Sequence, residues 1–376
     1  MDLSFRNSAL VFLLLIAGCK PRLSNSIAER PLPLREKRPI YSHHFLIRHY
    51  QSFKVMLVYG EDTIQPLHTF AMGNQDSFKR WFPEATWIPE VKRAVCFSTS
   101  HIAAFALLGD QKKIVGVTNA TRIFDSTTQL LLHSGKILDV GKDYQPDFEK
   151  IAALQPDLVF CDGESGNSIT AKMRALKLPV VASRDFYEQL PLARAEWLHF
   201  FAFFLNREAK ADSLLTVIAL NYHNNQFQNK DRRPTVFFNV PYNGIWYMPA
   251  KGNYITQLVE HAGGAPSFAA EAPNNGFNLT LQFEQVFARC AHADYWLHTS
   301  PEHTLLQLTA HDARFNYFDA VKHHHVFSGN KRMTVGNGND WWEQGVFRPD
   351  LLLRDLRLLL HPPVNSDSLF FYQQLQ

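Results

Sequence analysis

Short apolar runs alternate with longer stretches of helical periodicity along most of this chain of 376 residues. Over residues 91–190, and again over residues 230–376, this alternation predicts βαβ units built around parallel sheets. We therefore predict an α/β fold with two lobes. The runs that we predict to be strands are Arg93–Phe97, Lys113–Val117, Pro156–Cys161 and Pro179–Ala182 in the first lobe, and Thr235–Val240, Ala293–His298 and, last of all, His325–Ser328 in the second.

The stretch between the lobes, residues 191–229, has helical periodicity from end to end. Apolar residues recur at i, i+3, i+4 and i+7 from Leu198 to Leu205, and the pattern restarts after Asn206 and continues to Tyr222. We interpret residues 191–229 as a single long α-helix that joins the two lobes. The alternative is an ordinary long helix inside one large domain.

The N-terminus, residues 1–19, has the features of an export signal. Arg6 precedes an apolar segment, Ala9–Ala17, that is too short to span a bilayer. The segment ends in Ile16-Ala17-Gly18-Cys19, which resembles the lipobox of bacterial lipoproteins, where the cysteine is acylated. We expect lipidation at Cys19, and a plain signal peptide is the alternative.

Two further segments precede the first lobe. Residues 20–43 are polar and rich in proline, which predicts a flexible tether. Residues 44–90 contain strand-like runs, which we interpret as a small antiparallel β addition to the first lobe. Of the remaining cysteines, Cys96 and Cys161 could lie on neighbouring strands, but buried free thiols are the favoured prediction.

Composition narrows the possible functions. The formal net charge is only +3, from 38 Lys and Arg against 35 Asp and Glu, which argues against a nucleic-acid-binding protein. Aromatic residues make up 13% of the chain, and a surplus of Trp and Tyr suits a cleft for a large flat ligand.

Parallel sheets bind ligands beyond the carboxyl ends of their strands. In the first lobe, this rule points to Ser98–His101, Asn119–Arg122, Gly141–Tyr144 and Asp162–Asn167.

The two lobes also share a short repeat. Phe148-Glu149 in the first lobe corresponds to Phe283-Glu284 in the second, and each pair precedes an Asp and an apolar strand. Both glutamates would lie in the first turn of equivalent helices. An acidic residue there can simply complement the helix dipole, so the repeat alone leaves structural and functional roles equally open.

Several longer stretches resemble the periplasmic substrate-binding proteins of ABC importers, of the class that binds cobalamin, iron–siderophores or haem. They are RAVCFSTSH, GDQKKIVGVTN, FEKIAALQPDLVF, REAKADSLLTVIALNY, YNGIWYMPAKGNYITQLVEHAGG and FEQVFARCAHADYWL, which together span residues 91–328. The stretches around residues 191 and 340 look like a lipoprotein branch of the family. Residues 20–90 depart from the family's usual compact start.

The resemblance implies two Rossmann-like lobes with parallel sheets, joined by a single long α-helix, and a ligand held in the cleft between them. It also implies a periplasmic, lipid-anchored protein that is not an enzyme and has no cofactor. Its partners would be an ABC permease with its ATPase, and its cargo an iron complex, haem or cobalamin. Glu149 and Glu284 match the acidic residues that dock on permease arginines in this family.

The candidate ligand contacts are aromatic rings that could stack on a flat ligand and basic side chains that could pair with its anionic groups. They are His101, Arg122, Tyr144, Trp246, Tyr247, Trp341 and Trp342. The run His323–His325 suits an exposed loop better than a metal site, since neighbouring side chains on a strand point to opposite faces.

Two other functions remain as alternatives. A metal-ion receptor is suggested by the 17 His residues, but no H-x-H or H-x₃-H pair follows a predicted strand. A metal chelatase or hydrolase on a two-lobe scaffold is the second alternative, although no nucleophile–base motif, phosphate loop or catalytic carboxylate pair is present in the sequence.

Overall fold

The computed structural model describes residues 30–61, 63–163, 168–228, 233–273, 278–361 and 366–376, so Cys19 and the rest of residues 1–19 lie outside it. Its strands are β1 (Arg35–Lys37), β2 (Phe45–His49), β3 (Phe53–Tyr59), β4 (Pro66–Gly73), β5 (Thr86–Trp87), β6 (Ala94–Cys96), β7 (Ile114–Val117), β8 (Leu138–Asp139), β9 (Gly141–Lys142), β10 (Gln145–Pro146), β11 (Leu158–Asp162), β12 (Val180–Ser183), β13 (Thr235–Phe238), β14 (Trp246–Pro249), β15 (Ala265–Pro266), β16 (Asn278–Leu281), β17 (Tyr295–His298), β18 (Val326–Ser328) and β19 (Gln373–Gln374).

The α-helices complete the secondary structure of the described residues, and residues 33–376 fold as one compact unit. The helices are α1 (Gln75–Lys79), α2 (Thr99–Leu108), α3 (Ser126–His133), α4 (Phe148–Ala153), α5 (Ser168–Ala175), α6 (Pro191–Glu196), α7 (Leu198–Leu205), α8 (Glu208–Asn225), α9 (Tyr254–His261), α10 (Phe283–Cys290), α11 (Leu305–His311), α12 (Asp319–Lys322), α13 (Asp340–Glu343) and α14 (Pro349–Leu360).

The N-terminal lobe is built on a parallel sheet in the order β12-β11-β6-β7-β8. Its central strands are almost entirely buried, because helices cover both faces of a parallel sheet. Counted along the chain, this is the doubly wound order 3-2-1-4-5, which reverses between β6 and β11. The prediction of a Rossmann-like lobe is confirmed here.

The C-terminal lobe is built on a second sheet, in the order β15-β13-β17-β18-β19. Its pairs are parallel except for β19, which runs antiparallel to β18. The order 2-1-3-4-5 reverses between β13 and β17, so this lobe has its own switch point. The prediction that His325–Ser328 is the last strand is wrong, because β19 follows it near the C-terminus.

Residues 191–229 do not form the predicted single helix, because the stretch contains the three helices α6, α7 and α8. Asn206 separates α7 from α8 by adopting a left-handed conformation with φ of 57°. Asn tolerates that conformation and often ends a helix in this way. The restart of the apolar pattern after Asn206 is therefore the start of a second helix.

Helix α7 is buried on every side, which is typical of a helix that is apolar all round. Its Phe204 ring lies 5.6 Å from Phe70 of β4, in the sheet that contains β1 to β5, and Phe201 lies 5.4 Å from Phe160 of the Rossmann-like sheet. The polar member of the helix is His199, and burial lowers its pKa to about 3, so the imidazole stays neutral. Helix α7 is thus packed between two sheets.

Helix α8 contributes to the cores of both lobes. Ala211 and Leu214 pack in the N-terminal core, whereas Ile218 and Tyr222, two to three turns further on, pack in the C-terminal core. A helix rises about 1.5 Å per residue, so this span bridges two cores with one rigid element. Helix α8 is the part of the predicted linker that does join the lobes.

The chain crosses between the lobes again near its C-terminal end. After β18 it enters what we call the return segment, residues 331–347, in which Val346 and Phe347 are buried in the N-terminal core. The Phe347 ring lies 6.0 Å from Phe201 of α7. Helix α14 then packs back into the C-terminal core. The chain therefore crosses between the lobes three times, and the prediction that one helix alone joins them is wrong.

Within the predicted tether, residues 20–43, the described residues 33–43 contain regular structure. Strand β1 lies within it and pairs with β2. The carboxylate of Glu196 accepts hydrogen bonds from the backbone N–H groups of Ile40, Tyr41 and Ser42, at 2.7, 2.8 and 2.8 Å. Residues 44–90 form the rest of a five-stranded sheet, antiparallel from β1 to β4 with β5 parallel to β4. Hydrogen bonds to Glu196, about 150 residues later in the chain, thus fix the position of residues 40–42.

Two sequence features have plain structural outcomes. Cys96, Cys161 and Cys290 are buried free thiols, as the sequence favoured. In the described part of the chain, no helix is both long and apolar enough to cross a membrane.

Glu343 fastens the return segment to the N-terminal lobe. Its carboxylate accepts hydrogen bonds from the backbone N–H groups of Phe124, at 2.7 Å, and Asp125, at 2.8 Å. A side chain at Gly338 would put Cβ within 2.6 Å of the Ile123 carbonyl oxygen, so the backbones meet closely there. Burial raises the pKa of Glu343 to about 8, although the two N–H groups favour its charged form.

This pKa makes the stability of the inter-lobe contact depend on pH. The folded protein holds a proton that the unfolded chain releases near the ordinary value of 4.5, so the contribution is fully present below that pH and is lost as pH rises towards about 8. We expect the free energy of unfolding to fall across this range, by up to about 1.4 kcal/mol per pH unit from this group. The Glu343→Gln variant should fall less steeply. Urea unfolding at several pH values measures how steeply the free energy of unfolding falls with pH in the wild type and in the variant. Equal slopes would contradict a role for Glu343 in this pH dependence.

Candidate functional site

A cleft of about 790 Å³ lies between the two lobes. From the N-terminal lobe it is lined by Ser98–Ser100, which follow β6, and by Asp162 at the end of β11. From the C-terminal lobe it is lined by Asn239, which follows β13, and by Asn253–Ile255 at the start of α9. Both lobes therefore face the cleft with their strand carboxyl ends, close to the points where strand order reverses.

The floor on the N-terminal side is a hydrogen-bonded group of polar side chains. His101 is fully buried beneath it, with Nε2 2.8 Å from Asp162 Oδ1 and 3.3 Å from Ser183 Oγ. The Ser183 hydroxyl donates to Asp185 Oδ1 at 2.7 Å. Asp162 and Asp185 both line the cleft, but Asp162 has 49% of its side chain exposed whereas Asp185 is buried.

The pKa values of Asp162 and Asp185 shift in opposite directions. Burial alone would raise the pKa of Asp162, but the charge of His101 and hydrogen bonds from His101, Ser98 and Ser183 lower it. Burial and the neighbouring charge of Asp162 raise the pKa of Asp185. The more exposed carboxyl is therefore the stronger acid of the two.

Arg194 of α6 closes one side of the cleft. Its guanidinium lies over the Tyr254 ring, 4.1 Å from the centroid, and its Nη2 is 3.8 Å from Asp185 Oδ2. The side chain is only 8% exposed, and its Nε has no hydrogen-bond partner. Tyr254 of the C-terminal lobe and Asp185 of the N-terminal lobe thus hold the guanidinium of Arg194 between the lobes.

Glu188 connects the cleft wall to the N-terminal segment. Its Oε1 accepts hydrogen bonds from Ser42 Oγ at 2.5 Å and Trp197 Nε1 at 2.8 Å, and lies 3.0 Å from His44 Nδ1. Burial would raise the pKa of Glu188, but the hydrogen bonds from His44, Ser42 and Trp197 lower it. The ordered part of the predicted tether thus supports this wall.

Aromatic rings are exposed at the rim of the cleft. Trp342, on α13 of the return segment, is 45% exposed, and its ring packs edge-on against buried Trp341, with centroids 4.3 Å apart. Phe186 is 47% exposed next to Tyr187. The return segment therefore presents an indole to the cleft while its Glu343 fastens it to the N-terminal lobe.

The sequence candidates from the N-terminal lobe do not line the cleft directly. His101 is buried below the floor, where it supports Asp162. Arg122 is exposed on the loop next to the return segment. Tyr144 is 75% exposed beside a smaller cavity of about 210 Å³, which Asp162 also lines. Of the strand-end segments, Ser98–Ser100 and Asp162 face the cleft, whereas residues 164–167 lie outside the described residues.

Among the C-terminal candidates, only Trp342 lines the cleft. Trp246 is fully buried, and its Nε1 donates to the Phe238 carbonyl oxygen at 2.7 Å. Trp341 is also buried, and Tyr247 is half-buried outside the cleft lining. The expectation that Trp246 contacts a ligand is corrected, because β14 turns its ring into the C-terminal core. Tyr187, Arg194 and Tyr254 were missed, since no local pattern in the sequence marks them.

Glu149 and Glu284 occupy equivalent positions in the two lobes. Each is the second residue of its helix, α4 or α10, and each is exposed. Glu284 lies 3.1 Å from Arg314 and remains 76% exposed. Neither lines the cleft.

In the described ranges, no three His, Cys, Asp or Glu side chains are grouped so that they could hold a metal ion. His323 and His324 are exposed, and His325 Nδ1 lies 3.1 Å from the Asp294 carbonyl oxygen.

Comparison with known proteins agrees with this architecture. A family model described as periplasmic binding protein matches residues 95–333. The chain belongs to the periplasmic binding protein family. Periplasmic binding proteins, as the description of the family says, bind solutes.

A sequence relative is an uncharacterised lipoprotein of Methanocaldococcus jannaschii, 26% identical over 72% of this chain and 65% of that protein. This chain spans less than two thirds of the length of the curated relatives that it matches.

Two solved structures share the fold. A periplasmic heme-binding protein from Roseiflexus sp. RS-1 is 19% identical, with a TM-score of 0.55 over 72% of this chain and 97% of that one. A siderophore-binding protein of Vibrio cholerae, solved with Fe³⁺–Desferal, is 16% identical, with a TM-score of 0.53 over 72% of this chain and 100% of that one. At these identities the similarity establishes a two-lobe periplasmic binding fold.

Proposed function

We propose that this protein is the membrane-anchored substrate-binding protein of an ABC importer. It captures an iron complex, haem or cobalamin in the inter-lobe cleft and delivers this cargo to a permease and its ATPase. The observation that carries the proposal is the cleft itself, which joins the strand carboxyl ends of both lobes and is rimmed by exposed aromatic rings. Its volume of about 790 Å³ is in the range of sites for large organic ligands.

The two alternatives have less support. A receptor for a free metal ion needs three or four converging ligand side chains, and the described residues contain no such group. A chelatase or hydrolase needs a positioned nucleophile or base. Ser183, His101 and Asp162 are close together, but His101 and Ser183 are buried, and a single ring nitrogen of His101 contacts both other side chains. Family membership favours binding over catalysis.

Delivery requires a surface that meets the permease. Exposed Glu149 and Glu284, at matched helix starts on the two lobes, offer one carboxylate per lobe to a partner with two equivalent halves. Arginine binds carboxylates through two parallel hydrogen bonds, which gives direction to docking. Arg314 already contacts Glu284, so a permease arginine would share or replace this neighbour.

The location follows from the N-terminus. The segment Ala9–Cys19 supports export followed by acylation of Cys19, and a lipoprotein relative in Methanocaldococcus jannaschii agrees with it. We therefore place the protein in the periplasm, held to a membrane by its lipid. We expect no nucleic-acid partner. A single acyl chain gives only marginal membrane binding, so two or three chains would be needed.

The binding prediction concerns Trp342. Truncating an aromatic ring that packs on a ligand removes apolar contact area, so Trp342→Ala should weaken binding by about 1–3 kcal/mol. Buried Trp246 is the matched control, since Trp246→Ala should cost about 3–5 kcal/mol of stability through a core cavity. Titration with ferric siderophores, haemin and cobalamin, followed by absorbance and tryptophan fluorescence, measures affinity. No binding to any of the panel would reject the proposed function.

The docking prediction uses charge reversal. Glu149→Arg combined with Glu284→Arg should abolish uptake, since the permease arginines would meet like charge, while ligand affinity stays unchanged. Asp76→Arg, on an exposed residue of α1, is the control for an added positive charge. Uptake by cells and titration of the purified variants are measured together. Normal uptake by the double variant would remove the docking role.

The anchor prediction concerns Cys19. Cys19→Ser removes the acylated thiol, so the mature protein should move from the membrane fraction to the soluble fraction. Fractionation and mass spectrometry of the N-terminus follow the change. A serine variant that still carries lipid would show that the anchor lies elsewhere.

A further inference from the structure

The charge of the cleft lining is unbalanced. Its carboxylates are Glu61, Asp162, Asp185 and Glu188, whereas Arg194 is the one Lys or Arg among the described residues that line it.

The single cation is already engaged. Arg194 is 8% exposed, its guanidinium covers the Tyr254 ring, and Asp185 lies 3.8 Å away. A ligand carboxylate or catecholate would have to displace these partners to reach it. An anionic ligand would also face Asp162, and bringing like charges together in a partly desolvated cleft is unfavourable.

Two carboxylates of the cleft lining are exposed, Glu61 and, at the strand-end floor, Asp162. Asp162 stands at the end of β11, at the switch point of the Rossmann-like sheet, with half of its side chain exposed. His101 holds Oδ1 from below at 2.8 Å, which fixes the carboxylate while leaving acceptor capacity towards the cleft. Trp342 and Phe186 supply exposed ring faces that also attract cations.

We propose that the cleft selects a metal complex without net negative charge that carries a cationic N–H donor, and that Asp162 binds this donor. This inference rests on the proposed function and narrows its substrate class. Hydroxamate siderophores with an alkylammonium arm fit, because three hydroxamate anions balance Fe³⁺ and the arm leaves the complex cationic. Ferric catecholates and the propionates of haem carry the opposite charge.

The test varies ligand charge on a constant iron cage. The probes are the ferric complexes of desferrioxamine B with its free ammonium, with an N-acetyl group and with an N-succinyl group, which are cationic, neutral and anionic. We expect the ammonium form to bind about tenfold or more tightly than the succinyl form, with the acetyl form between them, because a charge-assisted hydrogen bond is lost and then replaced by repulsion. Titration by tryptophan fluorescence at fixed ionic strength measures all three.

Protein variants assign the preference to Asp162. Asp162→Asn should lower affinity for the ammonium form by about tenfold and leave the acetyl form nearly unchanged. Asp162→Glu, which keeps the charge, should retain the preference. Asp76→Asn removes the same charge from an exposed site on α1 and should behave as wild type. Thermal melting of each variant checks that it is folded.

The outcomes separate this inference from the proposed function. If the succinyl complex, a ferric catecholate or haemin binds as tightly as the ammonium complex, the charge selectivity is wrong and the substrate-binding role stands. A preference that survives in Asp162→Asn would show that another residue is responsible, which also rejects the assignment. If none of these complexes nor cobalamin binds, the proposed function and this inference both fail.

Discussion

The burial of α7 on every side is the constraint from which the rest of the N-terminal half follows. A helix made almost wholly of Leu, Phe and Ala leaves a large apolar surface exposed if it covers only one sheet. The five-stranded N-terminal sheet covers the other side, with Phe70 against Phe204 and Phe45 against Trp197. Lys54 of β3 also bonds Glu208 at the start of α8. Residues 33–90 are therefore part of the lobe and not an appendage.

The same packing shapes the cleft. Trp197, where α6 passes into α7, donates to Glu188, and Glu196 holds the backbone of Ile40–Ser42. The cleft wall around Glu188 thus depends on a segment more than a hundred residues earlier. On the opposite side, the return segment carries Trp342 to the rim while Phe347 is buried against α7. With α8 and the two passages of the return segment, the chain connects the two lobes three times.

Local patterns predicted the elements well and their surroundings poorly. Apolar runs such as Leu158–Cys161 are buried on both faces, so the α/β class and its strands were recognisable from sequence. The apolar pattern restarts after Asn206, but the pattern alone does not tell one continuous helix from two. The left-handed backbone conformation of Asn206 makes that difference. Likewise Trp246 and Trp342 both follow Asn and Gly residues in loop-like sequence. One ring points into a core and the other into the cleft because of partners distant in sequence.

The positions of candidate site residues show the same limit. Strand ends directed attention to Ser98–Ser100 and Asp162, which do line the cleft, since chain topology fixes where parallel strands end. Arg194 and Tyr254 come together across the two lobes, and no spacing in the sequence records that contact. The matched positions of Glu149 and Glu284 were recognisable because an internal repeat preserves them.

In the proposed function, both lobes hold one metal complex between them. A crystal structure grown with a ferric siderophore tests it most directly, with the iron located by anomalous scattering. We predict a single iron peak in the cleft, between Ser98–Ser100 on one side and Asn253–Ile255 on the other, with Trp342 against the ligand. An iron peak confined to the surface, or to the smaller cavity beside Tyr144, would contradict the account.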